Sequence, residues 1–132
     1  MKYMLLIYTP DYKTEPDARR DSSGDIAGHI AMAREAVARG AYVTCDALAV
    51  SGAATTVRVK DGRTITSDGP FAETKEVLGG FYILDCKDLD EALDYAARIP
   101  EAKWAGVEVR PVMDVPGWDY GATAGYARQS MD

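Results

Sequence analysis

The sequence predicts an α+β domain in which a four-stranded sheet carries two helices on one face. Three observations predict it. Strand and helix patterns follow one another as β-α-β, hairpin, β-α-β along the 132 residues. The dipeptide Asp61-Gly62 lies between two β-prone runs and is the strongest short hairpin signal in the chain. The run Phe81-Tyr82-Ile83-Leu84 has no polar alternation, as in a strand covered on both faces.

Each element has its own reason. Lys2 to Tyr8 is dense in Leu, Ile, Tyr and Met and stops at Thr9-Pro10, which predicts a buried first strand. Two helix starts then compete, Thr14 with Asp17 three residues on and Pro16 in the first turn, and Ser22 with Asp25. From Asp25 the helix is firmer. Ile26, Ile30, Ala33 and Val37 recur on one face, with His29 on the edge of that stripe, and Gly40 closes it. Ala41 to Val50 reads as the second strand, broken by Ser51-Gly52.

Thr55 to Val59 and Arg63 to Thr66 form the hairpin. A two-residue turn at Asp61-Gly62 sets Val59 opposite Thr64 and Arg58 opposite Ile65, so neither face is purely apolar and the ribbon is expected half-exposed. Gly79-Gly80 opens the strand at Phe81 to Leu84 and allows close backbone packing there. Asp88 is an N-cap with an acid at Glu91, and Leu89, Ala92, Leu93, Ala96 and Ile99 mark the core side of a second helix ended by Pro100. Gly106 to Val112 alternates and makes the last strand. This order is the split βαβ, ferredoxin-like arrangement with an inserted β-hairpin, over residues 1–115. Residues 116–132 depart in composition, and the aromatic Trp118, Tyr120 and Tyr126 suit a tail docked on a partner subunit.

The composition narrows the function classes. A hydrophobic content of 47% supports a single core at this length. Net charge is −6, from 15 basic and 21 acidic residues with no long basic run, so nucleic acid is not an expected partner. No run approaches the 18 or so apolar residues of a membrane span, and the start lacks a secretory pattern, so a cytoplasmic location is expected. Cys45 and Cys86 are far apart and read as free buried thiols. One His and scattered acids form no metal-ligand set, and no phosphate loop, dinucleotide fingerprint or nucleophile elbow occurs. No metal or cofactor is therefore expected.

Two helices cover only one face of such a sheet, while Phe81 to Leu84 demands cover on both. A second copy packed back to back is the simplest cover. Burying about 1,000 Å² of apolar surface would contribute on the order of 25 kcal/mol before association costs.

The stretch from Ser67 to Glu76, SDGPFAETKE, joins a turn to several charges, with Gly69 suited to a positive φ and Pro70 stiffening the loop. Together with Leu78-Gly79-Gly80-Phe81-Tyr82, Asp88-Leu89-Asp90-Glu91-Ala92 and Val107-Glu108-Val109-Arg110-Pro111-Val112, it resembles the DGPF branch of the YCII-related proteins. The resemblance covers about residues 1–115. It implies a homodimeric α+β barrel, two ferredoxin-like units paired sheet to sheet, in a fold shared with small isomerases, monooxygenases and dehydrochlorinases. It also implies a His and an Asp as the active pair, which map here to His29 and Asp68, the first residue of the named motif. Haem ligation by a His occurs in some relatives of that fold, but nothing else in this chain supports it.

The chemistry fits such a pair, since acid/base work needs one group titrating near neutrality and a second that orients it. The plain alternative is a helix-edge His29 and an Asp68 that only holds its turn. Lys75 can hold an anion, and either Glu73 or Glu76 can take a proton, though all three are equally explained as solvated loop charges. Phe71 is expected as an anchor packed under the loop, and it joins Glu73, Lys75 and Arg110 as the residues expected to contact a ligand. Arg110 and Glu108 also suit a plain cross-strand surface pair. Tyr3, Tyr8, Tyr42 and Tyr82 are expected to fill the interior, one of them lining a cavity. The expected function is cofactor-free isomerisation or elimination on a small polar metabolite. The alternative is a small-molecule-binding or regulatory module that does no chemistry, of the kind that relatives encoded beside sigma factors suggest.

Overall fold

Strict alternation shapes the first strand. In β1 (Lys2–Pro10) Tyr3, Leu5, Ile7 and Thr9 are buried, while Met4, Leu6 and Tyr8 between them are half-buried. The computed structural model describes residues 1–11 and 23–117. Further along lie α1 (Ser23–Ala38), β2 (Tyr42–Ala47), β3 (Thr55–Lys60), β4 (Arg63–Asp68), β5 (Glu76–Asp85), α2 (Leu89–Ala97) and β6 (Gly106–Pro111). A short 3-10 turn, Pro100–Lys103, follows α2.

The four-stranded sheet has the order β2-β5-β1-β6, all antiparallel. This is the split βαβ, ferredoxin-like arrangement expected above. Both helices lie on the face of Tyr3, Leu5, Ile7, Tyr82 and Leu84, where Met32, Ala36, Ala92, Tyr95, Ala96 and Ile99 complete the core. β3 and β4 form a separate two-stranded ribbon. Its turn has φ of 52° at Asp61 and 75° at Gly62, which matches the right-handed strand twist, and Val59 faces Thr64 and Arg58 faces Ile65 as the turn length requires. The expected caps also form: Asp88 accepts from the Glu91 amide at 2.9 Å, and Gly40 adopts a φ of 75° beyond α1.

Several expectations need correction. The apolar stripe of α1 is not its core face, because Ile26, Ile30 and Val37 are exposed while Met32 and Ala36 are buried. The face is set by close approach: a Cβ on Gly28 would lie 2.7 Å from Pro100 Cγ, so the glycine side of the helix can approach the 3-10 turn more nearly than any bulkier side. On α2, Tyr95 is buried and Leu89 and Leu93 are exposed, since a 3.6-residue period carries the core from Ala92 through Tyr95 and Ala96 to Ile99. Gly79-Gly80 lies within β5 rather than at its start. The register shift opposite Ile7 and Tyr8 leaves Gly79 as an extra residue, and a Cβ on Gly80 would lie 2.9 Å from the Asp46 carbonyl oxygen. Phe81 and Ile83 are half-buried, so within one chain β5 is covered on its helix side alone. The earlier helix start at Thr14 and the aromatic residues Trp118, Tyr120 and Tyr126 lie outside the described residues.

Candidate active site

Asp25, Ile26, His29 and Ile30 of α1 face a cavity of about 520 Å³ over the helix side of the sheet. The sheet supplies Ile7, Thr9, Cys45 and Tyr82, and the turn after α2 supplies Glu101 and Trp104. His29 sits between two of these elements. Its Nε2 lies 2.7 Å from Glu101 Oε1 and its Nδ1 lies 2.8 Å from the Tyr82 hydroxyl. The His29 and Tyr82 rings are nearly parallel, 13° apart with centroids at 5.8 Å.

The tautomer follows from the partners. A carboxylate only accepts, so Nε2 carries the proton and donates it to Glu101, and Nδ1 presents a lone pair to the Tyr82 O–H. This is a carboxylate-imidazole-hydroxyl chain of the same logic as a Ser-His-Asp triad, with a phenol at the end. Burial, joined by the nearby Glu101 carboxylate, raises the Tyr82 hydroxyl well above the usual phenol range. Tyr82 therefore stays protonated at neutral pH and is able to donate or relay a proton.

Backbone geometry brings the three together. Gly28 lets α1 settle against Pro100, which places Glu101, the next residue, against the helix edge where His29 projects. Tyr82 reaches up from the middle of β5, with Cys45 opposite it on β2.

Of the residues expected to act in catalysis or hold a ligand, only His29 lines this cavity, and of the four tyrosines expected inside, Tyr82 lines it. Asp68 closes β4 on the separate ribbon, is not among the lining residues and partners neither His29 nitrogen; the carboxylate at His29 is Glu101 instead. The physical reason is that the ribbon is a sheet of its own, whereas Glu101 is carried to His29 by the Gly28-Pro100 contact. Gly69 after it has a φ of 97° and is held at Ala54 and Thr56, so this part of the motif acts as a turn. Phe71 is not an anchor: it is 75% exposed, with the Arg58 guanidinium 4.7 Å from its ring centroid. Glu73 and Lys75 are exposed loop residues outside the lining. Arg110 pairs with Glu108 on the helix-free side of the sheet.

The cysteines differ. Cys45 is half-buried at the cavity and accepts from the Tyr42 hydroxyl at 3.4 Å, while Cys86 is buried in the core. That hydrogen bond, with burial next, pushes Tyr42 up to about 12. Burial, joined by neighbouring carboxylates, pushes the Cys86 thiol from 9.0 up to about 11. Each group thus loses its proton at higher pH in the folded chain than in the unfolded one, so its contribution is present below the unfolded value and lost as pH rises through the folded one. Folding stability is expected to fall from about pH 9 to about pH 11 through Cys86 and to keep falling toward about pH 12 through Tyr42. Urea midpoints across that range test this, and Cys86→Ala should flatten the first part; a midpoint constant from pH 9 to 11 would contradict it.

Residues 1–116 match the family model of the YCII-related domain. An uncharacterised protein of Rhizobium meliloti (strain 1021) is 39% identical over 114 residues, covering 85% of this chain and 92% of its own. Among solved structures, the 5-chloro-2-hydroxyhydroquinone dehydrochlorinase of Burkholderia phenoliruptrix AC1100, in complex with 2,5-dihydroxybenzoquinone, aligns with a TM-score of 0.48 at 16% identity. That alignment covers 90% of this chain and 100% of that one. With the family pattern running through nearly the whole described fold, the chain belongs to the YCII-related domain family.

Proposed function

We propose that this protein is an acid/base enzyme in which Glu101, His29 and Tyr82 move a proton to and from a small molecule in the cavity, in an isomerisation or elimination. The observation that carries the reading is the two-sided hydrogen bonding of His29 at the cavity wall. A proton leaves a carbon or oxygen of the substrate for Tyr82 Oη as the Tyr82 proton passes to His29 Nδ1. The electron pair left behind delocalises onto a neighbouring carbonyl of the substrate, and the imidazolium is held by Glu101. Return of the proton at another atom completes an isomerisation. Departure of a neighbouring leaving group with its electron pair, followed by passage of the imidazolium proton back through Tyr82 to that group or to water, completes an elimination.

A substrate need not be known to test this. Enolisable ketones and aldehydes incubated with the protein in D2O are expected to take up deuterium beside the carbonyl faster than in buffer, as read by proton NMR. A binding module without chemistry predicts retention of a ligand with no exchange, and exchange at the buffer rate across the panel would favour that alternative.

The same reading includes a homodimer. Met4, Leu6, Phe81 and Ile83 are half-buried on the helix-free face and lie side by side across β1 and β5. Edge charges Glu108 and Arg110 flank them on β6. This apolar row bordered by polar residues suits a second copy. Light scattering at micromolar concentration is expected to give twice the 14.3 kDa chain mass, and Leu6→Lys to give the single mass. A wild-type monomer would contradict the pairing.

A further inference from the structure

The cavity carries a charge pattern that the proton-transfer reading does not use. Its described ionisable lining consists of Asp25, Asp46 and Glu101, with His29, Tyr82 and Cys45, and no described Lys or Arg. The walls are otherwise apolar, with Ile26, Ile30 and Trp104 at the rim all about half exposed. Asp25 has a local use in the first turn of α1, where a carboxylate suits the helix dipole. Asp46 has no such use. It lies one residue before the end of β2, exposed at the cavity, and no cation among the described residues is paired with it.

We infer that the cavity takes a small molecule with an apolar body and no negative charge, prefers a cation to a neutral ligand, and turns away carboxylates and phosphates. A rigid apolar body gains by covering Ile26, Ile30 and the Trp104 ring. An ammonium near that ring gains further from its negative face and from the carboxylates at the rim. A carboxylate on the same body meets two rim carboxylates and finds no described guanidinium or ammonium in the lining. This departs from the sequence expectation of Lys75 as an anion holder, since Lys75 lies outside the lining. The inference rests on the cavity of the proposed enzyme being its binding site, but not on His29 acting in chemistry.

The test is a matched series of benzylammonium, benzyl alcohol and benzoate, titrated into the full chain at low salt and followed by NMR chemical shifts. Affinity is expected to fall in that order, with benzoate at least about tenfold weaker than benzylammonium and the gap narrowing as salt rises. Asp46→Asn should narrow the gap by about threefold or more. Benzoate binding as tightly as benzylammonium, or no member of the series binding at about 20 mM, overturns the inference. His29→Gln is read in parallel. An unchanged order in a variant that no longer exchanges protons upholds both readings, whereas an unchanged order with unchanged exchange sinks only the catalytic one.

Discussion

Replacing His29 by Gln is expected to lower catalysed proton exchange by at least about 100-fold, the usual worth of a positioned acid/base group. Gln keeps a polar group between Glu101 and Tyr82 but offers no titrating nitrogen, so the loss should fall on kcat and kcat/KM alike. Tyr82→Phe should lose a similar factor, because it removes the hydroxyl 2.8 Å from Nδ1. Glu101→Gln should lose less and shift the pH profile, since an amide can accept from Nε2 but no longer holds the imidazolium as a charge. Deuterium uptake measured for the four proteins checks the series. His29→Gln exchanging at the wild-type rate would remove the basis of the mechanism.

Gly28→Ala is expected to reduce both stability and turnover, the reverse of what a helix glycine ordinarily predicts. Elsewhere in a helix the change would gain up to about 1 kcal/mol. Here the new methyl would sit 2.7 Å from Pro100 Cγ, and such overpacking typically costs about 1 to 3 kcal/mol. Relief comes from moving α1 away from the turn that carries Glu101, and a displacement of about 1 Å at a reacting group can cost about 100-fold in rate. Pro100→Ala removes the opposing ring atom, so the double variant should recover much of what Gly28→Ala loses. Additive losses in urea midpoint and exchange rate would show that the contact is not what positions Glu101.

The architecture was legible because its signals are local. Asp61-Gly62 has the two positive φ values that a tight hairpin needs, Asp88 caps α2, Gly40 ends α1, and the alternation in β1 gives its faces. The faces of the helices were not, because in α1 the choice between the Ile26-Ile30 stripe and the Met32-Ala36 side depends on Pro100, far away in the chain. The site was legible at His29, whose chemistry shows in its residue type, and loosely at Tyr82, one of four tyrosines of which one was expected to line a cavity. Glu101 looks in sequence like any acid after a helix end, and Tyr82 like any core aromatic; only folding sets them against the imidazole. A glycine beside the lone histidine in mid-helix was the one available hint of close packing there. The SDGPFAETKE string drew attention by composition, and its Asp68 and Gly69 serve the end of the ribbon.

The hydrogen-bonded trio at the cavity joins residues separated by 53 and 72 positions in the chain. A nascent polypeptide therefore cannot possess it until more than three quarters of the protein has been made, and no short excised peptide can mimic it. Severing the exposed 71–75 connection would leave His29 on one fragment and Tyr82 with Glu101 on the other. Each fragment alone would be silent, and recovered proton exchange on mixing would make this small domain a split reporter of fragment reassembly.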